Sequence, residues 1–177
     1  MARIVGDDTG SEGPNHRSQG PVLLLHGHTR DGLSWFEGWS DGAERTLPAQ
    51  LYDAGYDVFI ANTRGTPNSR EHVDPEKDPD DYENGGAQAY WDFDDTTIGL
   101  YDIPAFVNGI LVMRSGDGEP CQKVQIITYS SGTMSSLVAA SVYPETAHAV
   151  LGGLQLQGVC IYTDTNTLAT NLGLLTG

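Results

Sequence analysis

The sequence is poor in basic side chains, in cysteine and in long apolar runs. Nine lysines and arginines stand against 24 aspartates and glutamates in 177 residues, a formal net charge of −15. A surface this acidic repels polyphosphates and anionic membranes, so nucleic-acid binding is excluded as a working function. Cys121 and Cys160 are the two cysteines present. Their separation fits neither a zinc-ligand pattern nor a dense disulfide framework, and both are expected as free, partly buried thiols. No uninterrupted apolar stretch reaches the ~20 residues of a membrane span, and Met1 to Asp8 holds no apolar segment of signal-peptide length. An Asn-x-Ser/Thr sequon is also absent, so no glycosylation site argues for a secretory route. The apolar fraction is 38% against 22 glycines, which predicts one domain with a modest core and many loops.

What is present centres on Ser130. It lies in Thr128-Tyr129-Ser130-Ser131-Gly132, after the apolar run Val124-Gln125-Ile126-Ile127 and before the helix-compatible stretch Met134 to Val142, halted by Pro144. Strand, serine-bearing turn and helix form the context of a nucleophile elbow, in which a sharp turn lifts the serine Oγ above a sheet. Upstream, Pro21-Val22-Leu23-Leu24-Leu25 is a continuous apolar run ending at His26-Gly27-His28, as expected of a strand buried on both faces of a parallel sheet. A helix is expected from Asp41 to Ala54, with Gly55 as its stop, followed by a strand from Tyr56 to Ala61. These make a βαβ unit with a right-handed crossover. The connection from Asn62 to Asp95 is too long for an ordinary βα loop and strongly acidic. Asp102 then reads as the cap of a helix with Pro104 in its first turn, running through Met113 and closing at Gly116. A last apolar segment spans Val150 to Ile161. Residues 1–20 are expected as an exposed lead-in and residues 21–177 as an α/β core.

Four blocks together resemble the acid lipases of the gastric and lysosomal type. They are Pro21 to Gly27, Leu51 to Gly65, Trp91 to Asp95 with Tyr101 to Ala105, and the elbow itself. The resemblance implies an α/β-hydrolase fold with a mostly parallel sheet and helices on both faces. It also implies hydrolysis of carboxylic esters such as triglycerides and cholesteryl esters, by Ser130 as nucleophile and the backbone N–H groups of His28 and Ser131 as oxyanion donors. In enzymes where one such donor was removed, the loss was about 3 to 4 kcal/mol. The family elbow reads Gly-His-Ser-Gln-Gly, so Thr128, Tyr129 and Ser131 depart from it. A β-branched threonine at the first position is expected to loosen the turn or to shift the helix.

The same comparison leads to the expectation of a partial fold, cut at both ends and lacking the lid, the first strands and the last strands. Unpaired sheet edges would then call for another polypeptide or a second copy. The catalytic acid and histidine are expected to be absent. His148 and Asp164 are the downstream candidates, in reversed order and with His148 at the far end of the sheet. Two functions of different class follow: a lipid-ester hydrolase module inactive by itself, or a noncatalytic hydrolase-derived subunit. The resemblance suggests a secreted or lysosomal setting.

Other residues have plainer readings. His26 is expected to hold the oxyanion loop by a hydrogen bond, His28 to be exposed, and His16 and His72 to be solvated. The acidic tract Glu71, Asp74, Glu76, Asp78, Asp80, Asp81 and Glu83 lacks the calcium-loop spacing and reads as a solvated loop. Trp35, Trp39 and Trp91 suit an acyl pocket, an interface or packing beneath loops. Arg64 is expected to pair with a carboxylate that holds its loop. No phosphate-binding glycine pattern is present, and neither a cofactor nor a metal is expected.

Overall fold

The computed structural model describes residues 1–5, 17–37 and 46–159. The expectations for His16, Trp39, Asp41, Cys160 and Asp164 therefore lie outside the described residues. Among the described residues, five strands form one sheet in the order β1-β3-β2-β4-β5: β1 Ala2–Arg3, β2 Pro21–Leu25, β3 Asp57–Ala61, β4 Val124–Tyr129 and β5 Leu151–Gln157. The pairings β3/β2, β2/β4 and β4/β5 are parallel, with Leu23 opposite both Phe59 and Ile126.

All five residues of β2 and all five of β3 are buried. This is why both read as unbroken apolar runs instead of alternating ones. One sheet face, carrying Leu23, Leu25, Phe59 and Ile126, packs on Ile103, Val107 and Ile110 of helix α4 (Ile103–Gly116) and on Ala139 of α5 (Ser131–Val142). The other face, with Val22, Leu24, Val58 and Ile60, packs on Leu47 and Leu51 of α1 (Leu47–Asp53) and on Trp35 and Phe36 of a 3₁₀ turn, Gly32–Phe36. Helices thus cover both faces of a mostly parallel sheet.

The structure departs from the sequence reading at two places. Ala2 and Arg3, within the expected lead-in, do not stand apart from the sheet but pair antiparallel with Ile60 and Phe59 as an added strand. Arg3 is locked there by Asp57, which accepts Nε and Nη2 at 2.7 Å each and also Arg114 Nη1 from α4 at 2.6 Å. The hydrogen bonds that Arg3 donates to Asp57 hold its guanidinium in the charged form against the opposing effect of burial. Nor does Asp102 cap a helix. After a short helix α2 (Gly86–Tyr90), the helical run starts at α3 (Asp95–Thr97), capped by Asp94, whose Oδ1 accepts Thr97 N–H at 2.8 Å. It then passes through a π-helical turn, Ile98–Asp102, into α4. Pro104 cannot donate an i→i−4 bond, and the widened turn absorbs the missing donor while Ile103 N–H reaches Ile98 O.

Asp102 is left free to receive Arg64, the carboxylate expected for that arginine: Arg64 N–H bonds Oδ2 at 2.9 Å, and Nε bonds Oδ1 at 2.8 Å. By length and composition the 22-residue run Asp95–Gly116 is long and apolar enough to cross a membrane, a measure that core helices also meet. Here Ile103, Val107, Ile110 and Arg114 are buried against the sheet. Cys121 is a free thiol, but exposed instead of partly buried.

The ends of β2 and β3 are joined by His26, 5% exposed. Its Nδ1–H donates to Gly27 O at 2.8 Å, which leaves Nε2 to accept Thr63 N–H at 3.2 Å. Burial holds the imidazole pKa below its ordinary 6.5, with the bond to Gly27 acting the other way. In the acidic loop, Asp74, Asp78 and Asp81 accept backbone N–H groups of Glu76, Asp80 and Asn84. Turn formation accounts for these carboxylates, and among the described residues no three His, Cys, Asp or Glu side chains are grouped to hold a metal ion.

Two outcomes test this description. The unfolded chain takes up the His26 proton first as pH falls, because the folded pKa is the lower one. Stability from this group is therefore complete above about pH 6.5 and lost as pH falls through the folded value. Urea unfolding at a series of pH values should show that loss in the wild type and lack it in His26→Gln. Second, Asp94→Ala should cost about 1 kcal/mol near neutral pH. Thr97 N–H holds the Asp94 carboxyl below its ordinary 3.8, so the wild-type advantage should disappear in acid, as pH falls through that lowered value.

Candidate functional site

β4 ends in a turn that no ordinary residue enters without strain. Ser130 has φ 54° and ψ −128°, outside the regions open to side-chain-bearing residues and costing roughly 1–3 kcal/mol. Local hydrogen bonds fix it there. Ser130 N–H donates to Gln157 O at the end of β5 (3.0 Å), and Ser130 O accepts Thr133 N–H (2.9 Å) and Thr133 Oγ1–H (2.5 Å). The Ser130 side chain is consequently exposed at the C-terminal end of the sheet. Ser131 opens α5, and its N–H belongs to the first helical turn, where the helix supplies no acceptor of its own.

Close packing of three segments positions this turn. A Cβ at Gly27 would come within 2.9 Å of Ser130 Cβ and 2.8 Å of Tyr129 Cε2. At Gly132 it would come within 2.3 Å of Thr128 Oγ1 and 2.6 Å of His26 O. The absence of side chains at 27 and 132 therefore lets the loop after β2, the turn and the start of α5 converge. Thr128 is fully buried. Its branched side chain fits beneath α5 because Gly132 leaves room for it; the hydroxyl makes no hydrogen bond among the described residues.

A cleft of about 600 Å³ opens beside the turn, lined on one side by His28, Ser131, Gly132 and Asp95 and on another by Trp91 and Phe93. His28 is exposed, as its sequence position suggested. Asp95 is half-buried and accepts Ser135 Oγ–H at 3.3 Å. Burial pushes its carboxyl above the ordinary range, opposed by Ser135 and by attraction to His28. Sequence reasoning passed over Asp95, whose only signal was its place at the end of the Trp91 to Asp95 block. Arg64 forms the cleft wall where its guanidinium lies over the Phe93 and Tyr101 rings, 5.9 Å from each centroid.

The other polar candidates are elsewhere. His148 is exposed on α6 (Pro144–Val150), and its carbonyl accepts Lys123 Nζ just ahead of β4. Ser130 lies past the other end of that strand, so about 20 Å of extended chain separates the two levels. His72 is exposed and bonds the backbone of Asp74. Trp35 packs edge-on to Tyr129, with ring centroids 5.2 Å apart, while Trp91 is 41% exposed at the cleft. Among the described residues, no histidine hydrogen-bonds Ser130 Oγ.

A sequence comparison matches residues 20–152 to a family model described as alpha/beta hydrolase fold. Among individual proteins, the chain is 32% identical to Triacylglycerol lipase 2 of Arabidopsis thaliana over 141 residues, 80% of this chain and 30% of that one. It is 29% identical to Gastric triacylglycerol lipase of Bos taurus over 167 residues, 94% of this chain and 38% of that one. It is 32% identical to human Lysosomal acid lipase/cholesteryl ester hydrolase over 139 residues, 77% of this chain and 31% of that one. The chain thus spans about a third of the length of these relatives. Sheet order, serine turn and sequence agree: this chain belongs to the α/β-hydrolase fold family and is acid-lipase-like within it.

Proposed function

We propose that the chain carries the nucleophile and the oxyanion donors of a lipid-ester hydrolase. Ser130 Oγ attacks the ester carbonyl, and the backbone N–H groups of His28 and Ser131 take up the negative charge that develops on the carbonyl oxygen. The observation that carries this reading is the strained backbone of Ser130 beside the loop that bears His28. Strain of that kind persists where the surroundings enforce it, and here they enforce an exposed serine next to Ser131 and Gly132, which line the cleft.

The attacking hydroxyl must lose its proton to a base within hydrogen-bond reach. In this reading the base and its orienting acid are supplied from outside the described residues, so the described portion does not turn over by itself. Triacylglycerols and cholesteryl esters, named for the relatives, set the substrate class. The exposed Trp91 and the Phe93 ring give the cleft an apolar wall suited to an acyl chain. On its outer side β5 has no neighbour among the described strands. A further strand, from another polypeptide or a second copy, would satisfy that row of backbone groups.

A second reading rests on the missing contact between Ser130 and any described histidine: a hydrolase-derived module kept for its interactions, without chemistry. Fluorophosphonate labelling separates the two. The hydrolase reading expects one adduct by intact mass, mapped to Ser130 and lost in Ser130→Ala. A protein that stays unlabelled alone and in the company of whatever co-purifies with it would leave the noncatalytic reading in its place.

A further inference from the structure

Tyr129 is the last residue of β4 and shares a sheet face with Ile127, two residues before it. That face packs on the 3₁₀ turn Gly32–Phe36, on the loop that follows β2. The Tyr129 ring lies against Gly27, where a Cβ would come within 2.8 Å, and edge-on to Trp35. Its hydroxyl is 2.8 Å from Ser34 Oγ. Ser34 Oγ–H is itself donated to Asp31 O at 2.6 Å. A serine hydroxyl has one proton, so Tyr129 O–H is the donor to Ser34. The result is a directed chain from Tyr129 through Ser34 to the Asp31 carbonyl.

This chain acts on a segment that also carries local side-chain bonds, from Arg30 to Glu37 and from Leu33 N–H to Asp31 Oδ1. His28, Thr29 and Arg30 are exposed, and Thr29 has a positive φ of 58°. Below it, Gly32 N–H donates to Asn62 Oδ1 at 2.7 Å, which pins the loop to the end of β3. Tyr129 supplies the pin on the β4 side, one residue from Ser130. The two sides of the proposed oxyanion site, His28 N–H on one segment and Ser131 N–H on another, are thereby held at a fixed spacing.

Resting on the reading of Ser130 given above, we propose that Tyr129 is a positioning residue that holds the His28 loop against the serine turn through its hydroxyl bond to Ser34. It touches no substrate. Its effect is on where His28 N–H stands when charge develops on the attacked oxygen, because such donors act only at hydrogen-bond distance from that oxygen.

The test is fluorophosphonate inactivation of the wild type, Tyr129→Phe, Ser34→Ala and the double variant, resolved into kinact and KI. Each single variant should lower kinact about fivefold, the scale of one hydrogen bond, with KI unchanged. The double variant should be no slower than either single one, because both remove the same bond. Ser34→Thr, which keeps the acceptor oxygen, should restore the rate. A loss of thermal stability in Tyr129→Phe with kinact intact would make the residue structural only and overturn the proposal. Amide hydrogen exchange over residues 28–36 reads the clamp without any labelling. It should be faster in Tyr129→Phe, and unchanged exchange would remove the clamp itself. A wild type that takes no label, either alone or with whatever co-purifies with it, removes the nucleophile reading and, with it, the catalytic meaning of Tyr129.

Discussion

The ends of β2 and β4 meet only because two glycines stand where they touch. Gly27 abuts Ser130 and Tyr129, and Gly132 abuts Thr128 and the carbonyl of His26, at distances no Cβ could occupy. With that approach in place, the first turn of α5 lies directly over the end of β2. The serine between strand and helix is then forced into its positive-φ conformation. The exposure of Ser130 and the meeting of His28 and Ser131 at one cleft follow from the same contact.

The two ends of the sheet divide the work. At the C-terminal end the backbone is strained, side chains are exposed and polar groups face a cleft, the arrangement expected of a site placed outside the carboxyl ends of parallel strands. At the N-terminal end Asp57, 2% exposed, gathers Arg3 and Arg114 and so joins β1, β3 and α4. Removing one partner of such a buried ion set leaves a charge without compensation, typically a loss of about 3–5 kcal/mol. The strain of the serine turn, roughly 1–3 kcal/mol, is sustained by a scaffold anchored far from it. His148 belongs to the anchored end, which is why its presence downstream of Ser130 does not make it a partner.

Much of this could be read from the residues. The fully buried strands β2 and β3 announced themselves as apolar runs, and the elbow was visible as strand, serine turn and helix. Arg64 was expected to bind a carboxylate, and Asp102 does so. What stayed hidden depended on contacts distant in sequence. Ala2–Arg3 is too short to show a period, and it is a strand only because β3 lies beside it. Asp57 at the head of an apolar strand was the available sign of a buried ion cluster. The helix start at Asp95 was obscured because Asp102 before Pro104 imitates a cap, whereas a π turn lets the helix run through. Thr128 looked disruptive against the family pattern because the space for it comes from Gly132, four residues on. Tyr129 looked like a mere departure because its partner Ser34 is 95 residues away.

The most direct measurement is a crystal structure of the protein after reaction with an alkyl fluorophosphonate. The account predicts phosphorus bonded to Ser130 Oγ, with the phosphoryl oxygen about 3 Å from both His28 N and Ser131 N. A phosphoryl oxygen turned to solvent, away from both amides, or an adduct on another side chain, would contradict it.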